Sequence, residues 1–260
     1  MNLHPALEYL KYLCQSGYWR GHGIHSPFGF ELVSEIINGK HPFYHFESID
    51  QYRQELMVSK QIITCQDFGA GQKGLQRKKI SSIAKQSAVQ PKYGKLLSRL
   101  VHFTKPTTIL ELGSSLGIGS LYLGMARPSA RLITLEGCQA CADVAKKALL
   151  KYGCLNSQVV VGDFDHTLPQ TLESIDQLDF VWFDGNHRKE PTLHYFEQCL
   201  QKATNNTVFV FDDIHWSEGM SAAWETIIQH PRITVSLDLF QVGIVFFKSE
   251  CQKQHFKIRW

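Results

Sequence analysis

Long apolar runs are missing from this 260-residue chain: no stretch approaches the roughly 18 uninterrupted apolar residues of a membrane helix, so no helical span is expected. The opening Met1-Asn2-Leu3-His4-Pro5 lacks a basic flank followed by an apolar core, so no export leader is expected either. Charge of one sign is scarce. Lys plus Arg number 27 against 24 Asp plus Glu, and a net +3 is too small to argue for nucleic acid by itself. Internal repeats and low-complexity linkers are absent, and 43% hydrophobic with 20% charged residues excludes a disordered chain. Seven cysteines (14, 65, 138, 141, 154, 199 and 251) form an odd set, and without a leader they read as reduced thiols of a cytoplasmic protein. Cys138 and Cys141 make a Cys-x-x-Cys with no second such motif to complete a zinc site, and they are read as packing thiols at the start of a helix.

What is present falls into two grammars. Residues 1–103 place apolar residues at helical spacing, as in Leu7, Leu10 and Leu13, or Phe30, Val33, Ile36 and Ile37, with further helices expected over 80–88 and 93–103. Breaker-rich loops such as Gly21-His22-Gly23 and the basic run 72–79 lie between, and this part reads as a helical N-terminal extension. A basic run of that length is read as a solvated loop. From residue 104 to 248, short apolar runs alternate with helical segments. Strands are expected at 108–112, 131–135, 158–161, 179–183 and 207–211, followed by a pair at 234–238 and 242–247. Phe180-Val181-Trp182-Phe183 and Val208-Phe209-Val210-Phe211 are apolar without alternation, as strands covered by helices on both faces are. The last two are joined too tightly for a crossover and must be antiparallel. The expected fold is α/β: a Rossmann-like, seven-stranded, mostly parallel sheet at 104–248, with the helical extension before it and a basic tail at 249–260.

The first of these strands runs into Glu111-Leu112-Gly113-Ser114-Ser115-Leu116-Gly117-Ile118-Gly119-Ser120. Glycines at a strand-to-helix turn permit positive φ and close approach of a ligand to the backbone. Glu136, 23 residues after Gly113, ends the second strand where an acid can accept both hydroxyls of a ribose. Gly162-Asp163 ends the third, which suits an adenine amino group or a helix cap. The dinucleotide fingerprint fails because its second glycine would fall at Ser115. Glu111 would repel a diphosphate but suits a ligand carrying an ammonium and a sulfonium, which points to S-adenosylmethionine. Asp67-Phe68-Gly69-Ala70-Gly71 imitates such a loop without the following helix, strand and acid, and is read as an ordinary loop.

A second group of acids follows the middle strands. Asp184 follows the run 180–183 directly, and Asp212 and Asp213 follow 207–211. Strand neighbours stand about 4.8 Å apart, so these carboxylates would cluster at the edge where open α/β sheets bind ligands. Oxygen ligands with no cysteine nearby suit Mg²⁺, Mn²⁺ or Ca²⁺. The competing reading makes the same acids helix caps.

The segments 111–120, Glu136, Asp163, Phe183-Asp184-Gly185-Asn186-His187 and Phe211-Asp212-Asp213 together resemble class I S-adenosylmethionine-dependent methyltransferases, in the catechol and caffeoyl-CoA O-methyltransferase-like branch. The resemblance covers about residues 90–248 and includes Tyr93-Gly94-Lys95-Leu96-Leu97, similar to a segment that folds over the cofactor there. It implies strand order 3-2-1-4-5-7-6 with the last-numbered strand antiparallel. It implies that Glu111, Gly113, Ser115, Gly119, Glu136, Asp163 and Asp184 contact the cofactor, and that Asp184, Asp212 and Asp213 hold a divalent ion that grips two substrate oxygens. Asp213 departs from the asparagine common at that place. His187 stands where the metal-dependent branch carries a lysine base, and a histidine titrates in the right range for that task. His215 is a weaker candidate for substrate or metal. Trp182, Trp216 and Trp224 read as core, with Trp216 a candidate pocket wall.

The expectation is methyl transfer from S-adenosylmethionine to an oxygen of a small molecule, assisted by a divalent ion. The alternatives are a metal-independent N- or O-methyltransferase, a nicotinamide-dependent dehydrogenase, and a non-catalytic nucleoside- or RNA-binding module. No membrane partner is expected, and a homodimer is compatible with this reading.

Overall fold

The computed structural model describes residues 4–18, 23–40, 43–66 and 74–260. The glycine-like decoy at 67–71, Gly21-His22 and the first two residues of the basic run lie outside them. The chain divides into two compact units, residues 1–40 with 177–260, and residues 41–176.

The first unit begins with α1 (His4–Gln15), whose Tyr9 and Tyr12 rings meet Phe240 at centroid distances of 4.9 and 5.4 Å. The Tyr12 hydroxyl donates to the Ile258 carbonyl, tying this helix to the end of the chain. Helix α2 (Pro27–Glu31) starts as its sequence dictates: Ser26 Oγ accepts the Gly29 amide and Pro27 occupies the first turn, where a missing N–H costs nothing. It continues into a π-helical turn at Leu32–Ile37 that buries Leu32, Val33, Ile36 and Ile37.

The second unit opens with α3 (His45–Val58), an antiparallel pair β1 (Ile62–Gln66) and β2 (Leu75–Lys79), α4 (Ile80–Ser87) and α5 (Pro91–Thr104). Residues 75–79 of the basic run are therefore strand rather than loop. Its exposure alternates along the strand, with Leu75, Arg77 and Lys79 outward. Strand β3 (Thr108–Leu112), α6 (Ile118–Ala126), β4 (Arg131–Glu136), α7 (Gln139–Lys151), β5 (Ser157–Val161) and α8 (Phe164–Glu173) follow. The three strands are parallel in the order β5-β4-β3, the expected 3-2-1.

The first unit resumes with β6 (Leu178–Phe183), α9 (Lys189–Leu200), β7 (Ala203–Phe211), α10 (Glu218–Gln229), β8 (Val235–Asp238) and β9 (Gly243–Phe246). Their order β6-β7-β9-β8 is the expected 4-5-7-6, with β9 antiparallel to both neighbours. One further strand, β10 (Gln254–Lys257), pairs parallel to β8 inside the segment read as a basic tail. Phe180, Val181, Trp182, Val208, Phe209 and Val210 are at most 1% exposed, which accounts for their unbroken apolar runs. The α/β, Rossmann-like class expected from the sequence is the fold observed.

Candidate functional site

In the second unit the loop between β3 and α6 turns through residues that need positive φ: Gly113 (104°), Ser115 (45°) and Gly117 (86°). A Cβ on Gly117 would lie 3.0 Å from Ala145 Cα, so loop and α7 meet backbone to backbone. Around the loop, Ser87 Oγ stands 2.8 Å from Ser115 Oγ, and the Tyr52 hydroxyl donates to the Leu116 carbonyl at 2.8 Å. Gly119 lies inside α6 and is buried.

Glu136, half-buried at the end of β4, accepts two backbone amides. Ser115 N–H donates to Oε2 at 2.7 Å and Cys138 N–H to Oε1 at 2.8 Å. Glu111 sits one residue before the end of β3 and is fully buried rather than lying on an open rim. The Ser120 hydroxyl donates to its Oε2, while Oε1 makes no hydrogen bond. Burial raises the Glu111 carboxyl to about 7, against the pull of the Ser120 hydroxyl. An unmet buried carboxyl oxygen is costly, and retaining the proton at neutral pH lessens that cost. Asp163 is occupied as the N-cap of α8, accepting the Asp165 amide at 3.0 Å.

In the first unit β6 and β7 run parallel with Phe183 opposite Phe211, and the Asp212 amide donates to the Phe183 carbonyl at 2.9 Å. That register sets Asp184 and Asp212 side by side. Asp212 is 7% exposed, and its Oδ1 has no partner. Burial raises its carboxyl to about 8, the negative charge of Asp213 adds to this, and hydrogen bonds from Asp184 and Gln241 oppose it. Asp213 takes a left-handed φ of 54°, and burial raises its carboxyl too. His187 bridges the group, with Nε2 at 3.8 Å from Asp184 Oδ1 and Nδ1 at 3.9 Å from Asp213 Oδ2. Burial lowers its pKa below the usual imidazole value, against the pull of Asp213, so the ring is neutral at pH 7. Phe183, Gly185, Thr192, Tyr195, Phe211 and Met220 line a small recess with His187 and Asp212.

The donors Asp184 and Asp212 fit a hard divalent ion: both are oxygen ligands, and one is a buried acid with an unmet oxygen whose charge the site suppresses. Asp213 is not drawn into a tight three-ligand group with them. Among the described residues, the one set of three ligand atoms within 4.8 Å of each other is Cys65, Cys138 and Cys141.

The sequence model of a family described as "Methyltransferase domain" matches residues 110–214, from Leu110 in β3 to Ile214 beyond β7. Residues 110–214 are similar to a methyltransferase domain. A catechol O-methyltransferase from Niastella koreensis is 34% identical over 131 residues, covering 49% of this chain and 58% of that protein. One from Sus scrofa is 31% identical, covering 44% of this chain and 64% of that protein. The chain thus spans less than two thirds of the length of the curated relatives it matches. An O-methyltransferase from Bacillus cereus, solved with S-adenosylhomocysteine, superposes with a TM-score of 0.56 over 80% of this chain and 92% of its own. At 19% identity that likeness concerns the fold. Residues 110–214 thus resemble the class I, S-adenosylmethionine-dependent catechol and caffeoyl-CoA O-methyltransferase branch, as their motifs imply.

The structure also separates the secondary candidates. His215 is buried between Asp238 Oδ2 (3.0 Å from Nε2) and Ser221 Oγ (3.2 Å from Nδ1), fixed as part of the packing. Trp182 and Trp224 are core, while Trp216 is 58% exposed. Tyr93 to Leu97 belong to α5, packed on α6. Ser87 and Tyr52, which touch the glycine loop, carried no sequence signal, since neither lies in a motif. No helix among the described residues is long and apolar enough to cross a membrane.

Proposed function

We propose that this protein transfers the methyl group of S-adenosylmethionine to a hydroxyl oxygen of a small-molecule acceptor. The observation that carries the reading is Glu136, placed at the end of β4 with its carboxylate fastened to the loop amide of Ser115. Ligands of open α/β sheets lie there, beyond the carboxyl ends of the strands. Glu136 would receive the ribose, Gly113, Ser115 and Gly119 would shape the loop around the methionine portion, and Asp163 would lie on the adenine side. Glu111, with its unmet Oε1, would answer the cationic end of the donor. The catechol O-methyltransferase relatives support an oxygen acceptor.

A sulfonium supplies a methyl carbon already activated for displacement, so two tasks remain for the chain: aligning the acceptor and removing its proton. The acceptor oxygen forms its bond to carbon as the carbon–sulfur bond breaks, and the sulfide leaves neutral. His187 would take the acceptor's proton. The carboxylates of Asp184 and Asp213, 3.8 and 3.9 Å away, would stabilise the imidazolium that results. Asp184 and Asp212, with Asp213 beside them, would hold a divalent ion such as Mg²⁺. Bound there, the ion would make an acceptor hydroxyl more acidic. Titrating Mg²⁺ calorimetrically and assaying turnover with a chelator tests this part: no heat and no chelator effect would leave the metal-independent alternative.

Residues 1–103 would select the acceptor. In support, α1 is anchored in the unit that carries His187, with His4 Nε2 3.1 Å from Ser221 Oγ. The seven cysteines, none in a disulfide, support a reducing cytoplasmic setting. Gel filtration would distinguish a homodimer from a monomer. The reading as a whole is tested by incubating the protein with radiolabelled S-adenosylmethionine and a panel of catechols. Label in the organic product supports it, and none with any hydroxylated acceptor contradicts it.

A further inference from the structure

The thiols that read as packing residues converge on a third that the sequence did not join to them. Cys138 caps the start of α7, Cys141 lies within its first turn, and Cys65 arrives from β1, which packs against α7 in the same unit. Each is 6% exposed. The three sulfurs lie within 4.8 Å of one another, and Cys65 Sγ is 3.8 Å from Cys141 Sγ. That spacing is well beyond a disulfide, whose sulfurs stand about 2.05 Å apart. It matches one edge of a tetrahedron of sulfurs around a zinc ion, since bonds of about 2.3 Å place neighbouring ligands about 3.8 Å apart.

We propose that Cys65, Cys138 and Cys141 form a binding site for a thiophilic cation of the zinc type. Soft sulfur donors select such ions over magnesium or calcium. Three thiols bind one dication by releasing three protons. The three thiolates and the ion then carry a single net negative charge, which Lys78 of β2 favours at Cys65 and the Glu136 carboxylate opposes at Cys141. The fourth tetrahedral position is left to a ligand from solution. The site pins the β1–β2 pair to α7. It also adjoins Glu136, because the Cys138 amide donates to Glu136 Oε1 at 2.8 Å. The inference stands independently of methyl transfer.

The test uses the full chain, purified with a reductant and freed of metal, and cadmium as a spectroscopic probe. One equivalent of Cd²⁺ should raise a thiolate-to-metal charge-transfer band in the ultraviolet. The band should be lost in C65S and C141S and kept in C154S, which alters a buried thiol outside the cluster. C65A and C141A, checked by circular dichroism, replace the serine variants should these fail to fold. Zinc calorimetry in buffers of different ionisation enthalpy should report about three protons released per ion. No charge-transfer band in the folded wild type would overturn the proposal. So would a band that survives in C65S and C141S, or a Cys65–Cys141 disulfide that persists in the purified protein and excludes cadmium.

Discussion

Glu136 Oε2 accepts the amide of Ser115 at 2.7 Å, so the carboxylate that ends β4 also braces the loop that follows β3. The other oxygen accepts the amide of Cys138 at the entrance to α7. One side chain thus sets the shape of the loop from the strand end where ligands of open α/β sheets lie. Replacing it with alanine removes both hydrogen bonds. Hydrogen bonds to a charged group contribute about 1.5–3 kcal/mol, so E136A should weaken S-adenosylhomocysteine binding by roughly 10- to 150-fold. Calorimetry on the folded variant checks this, and unchanged affinity would detach Glu136 from the cofactor.

Glu111 gives a pH dependence with a definite sign. Its carboxyl is raised from about 4.5 to about 7 by burial, so the folded state holds that proton more tightly than the unfolded chain. Its contribution to stability is complete below about pH 4.5 and is lost as pH rises through about 7. A shift of this size corresponds to something on the order of 3 kcal/mol. E111Q, which is neutral throughout, should therefore show a flatter stability profile than wild type between pH 5 and 8 in urea unfolding. Parallel profiles would mean that Glu111 is not the group responsible.

His187 is neutral at pH 7 by virtue of its lowered pKa, as a proton acceptor must be. General-base catalysis contributes roughly 10²–10⁴-fold. H187A should lower kcat by at least about a hundredfold while leaving S-adenosylhomocysteine affinity intact, and the acid limb of the wild-type rate profile should vanish. A variant with wild-type kcat would remove His187 from the chemistry.

Gly94 of α5 has no room for a side chain, because a Cβ there would run into the ring of the fully buried Tyr122 on α6. G94A should destabilise the protein by about 1–3 kcal/mol through overpacking. An unchanged urea midpoint would show that the two helices can separate without cost.

The seven strands from β3 to β9 were legible from their apolar, β-branched and aromatic runs, six of which end in glycine or acid. The hairpin β1–β2 was not, since Arg77, Lys78 and Lys79 read as a solvated loop until the alternating exposure of a two-stranded ribbon is seen. Strand β10 is short and polar and is defined by its partner β8 rather than by its own pattern. Helix α3 escaped for a related reason, since its mostly polar sequence holds few apolar positions. The residue types of the candidate site were readable, but their depth was not. A strand-end position does not tell whether Glu111 lies open or sealed, nor that Asp163 spends its carboxylate on a helix cap. Convergence of Cys65 with Cys138 and Cys141, more than seventy residues away, depends on packing between β1 and α7.

Thermal unfolding with adenosyl and nicotinamide ligands tests the central claim most directly. At a hundred times its Kd, S-adenosylhomocysteine should stabilise the folded chain by about 2.7 kcal/mol, with NAD giving no shift. Stabilisation by NAD, with none from S-adenosylhomocysteine or S-adenosylmethionine at any concentration, would contradict the account.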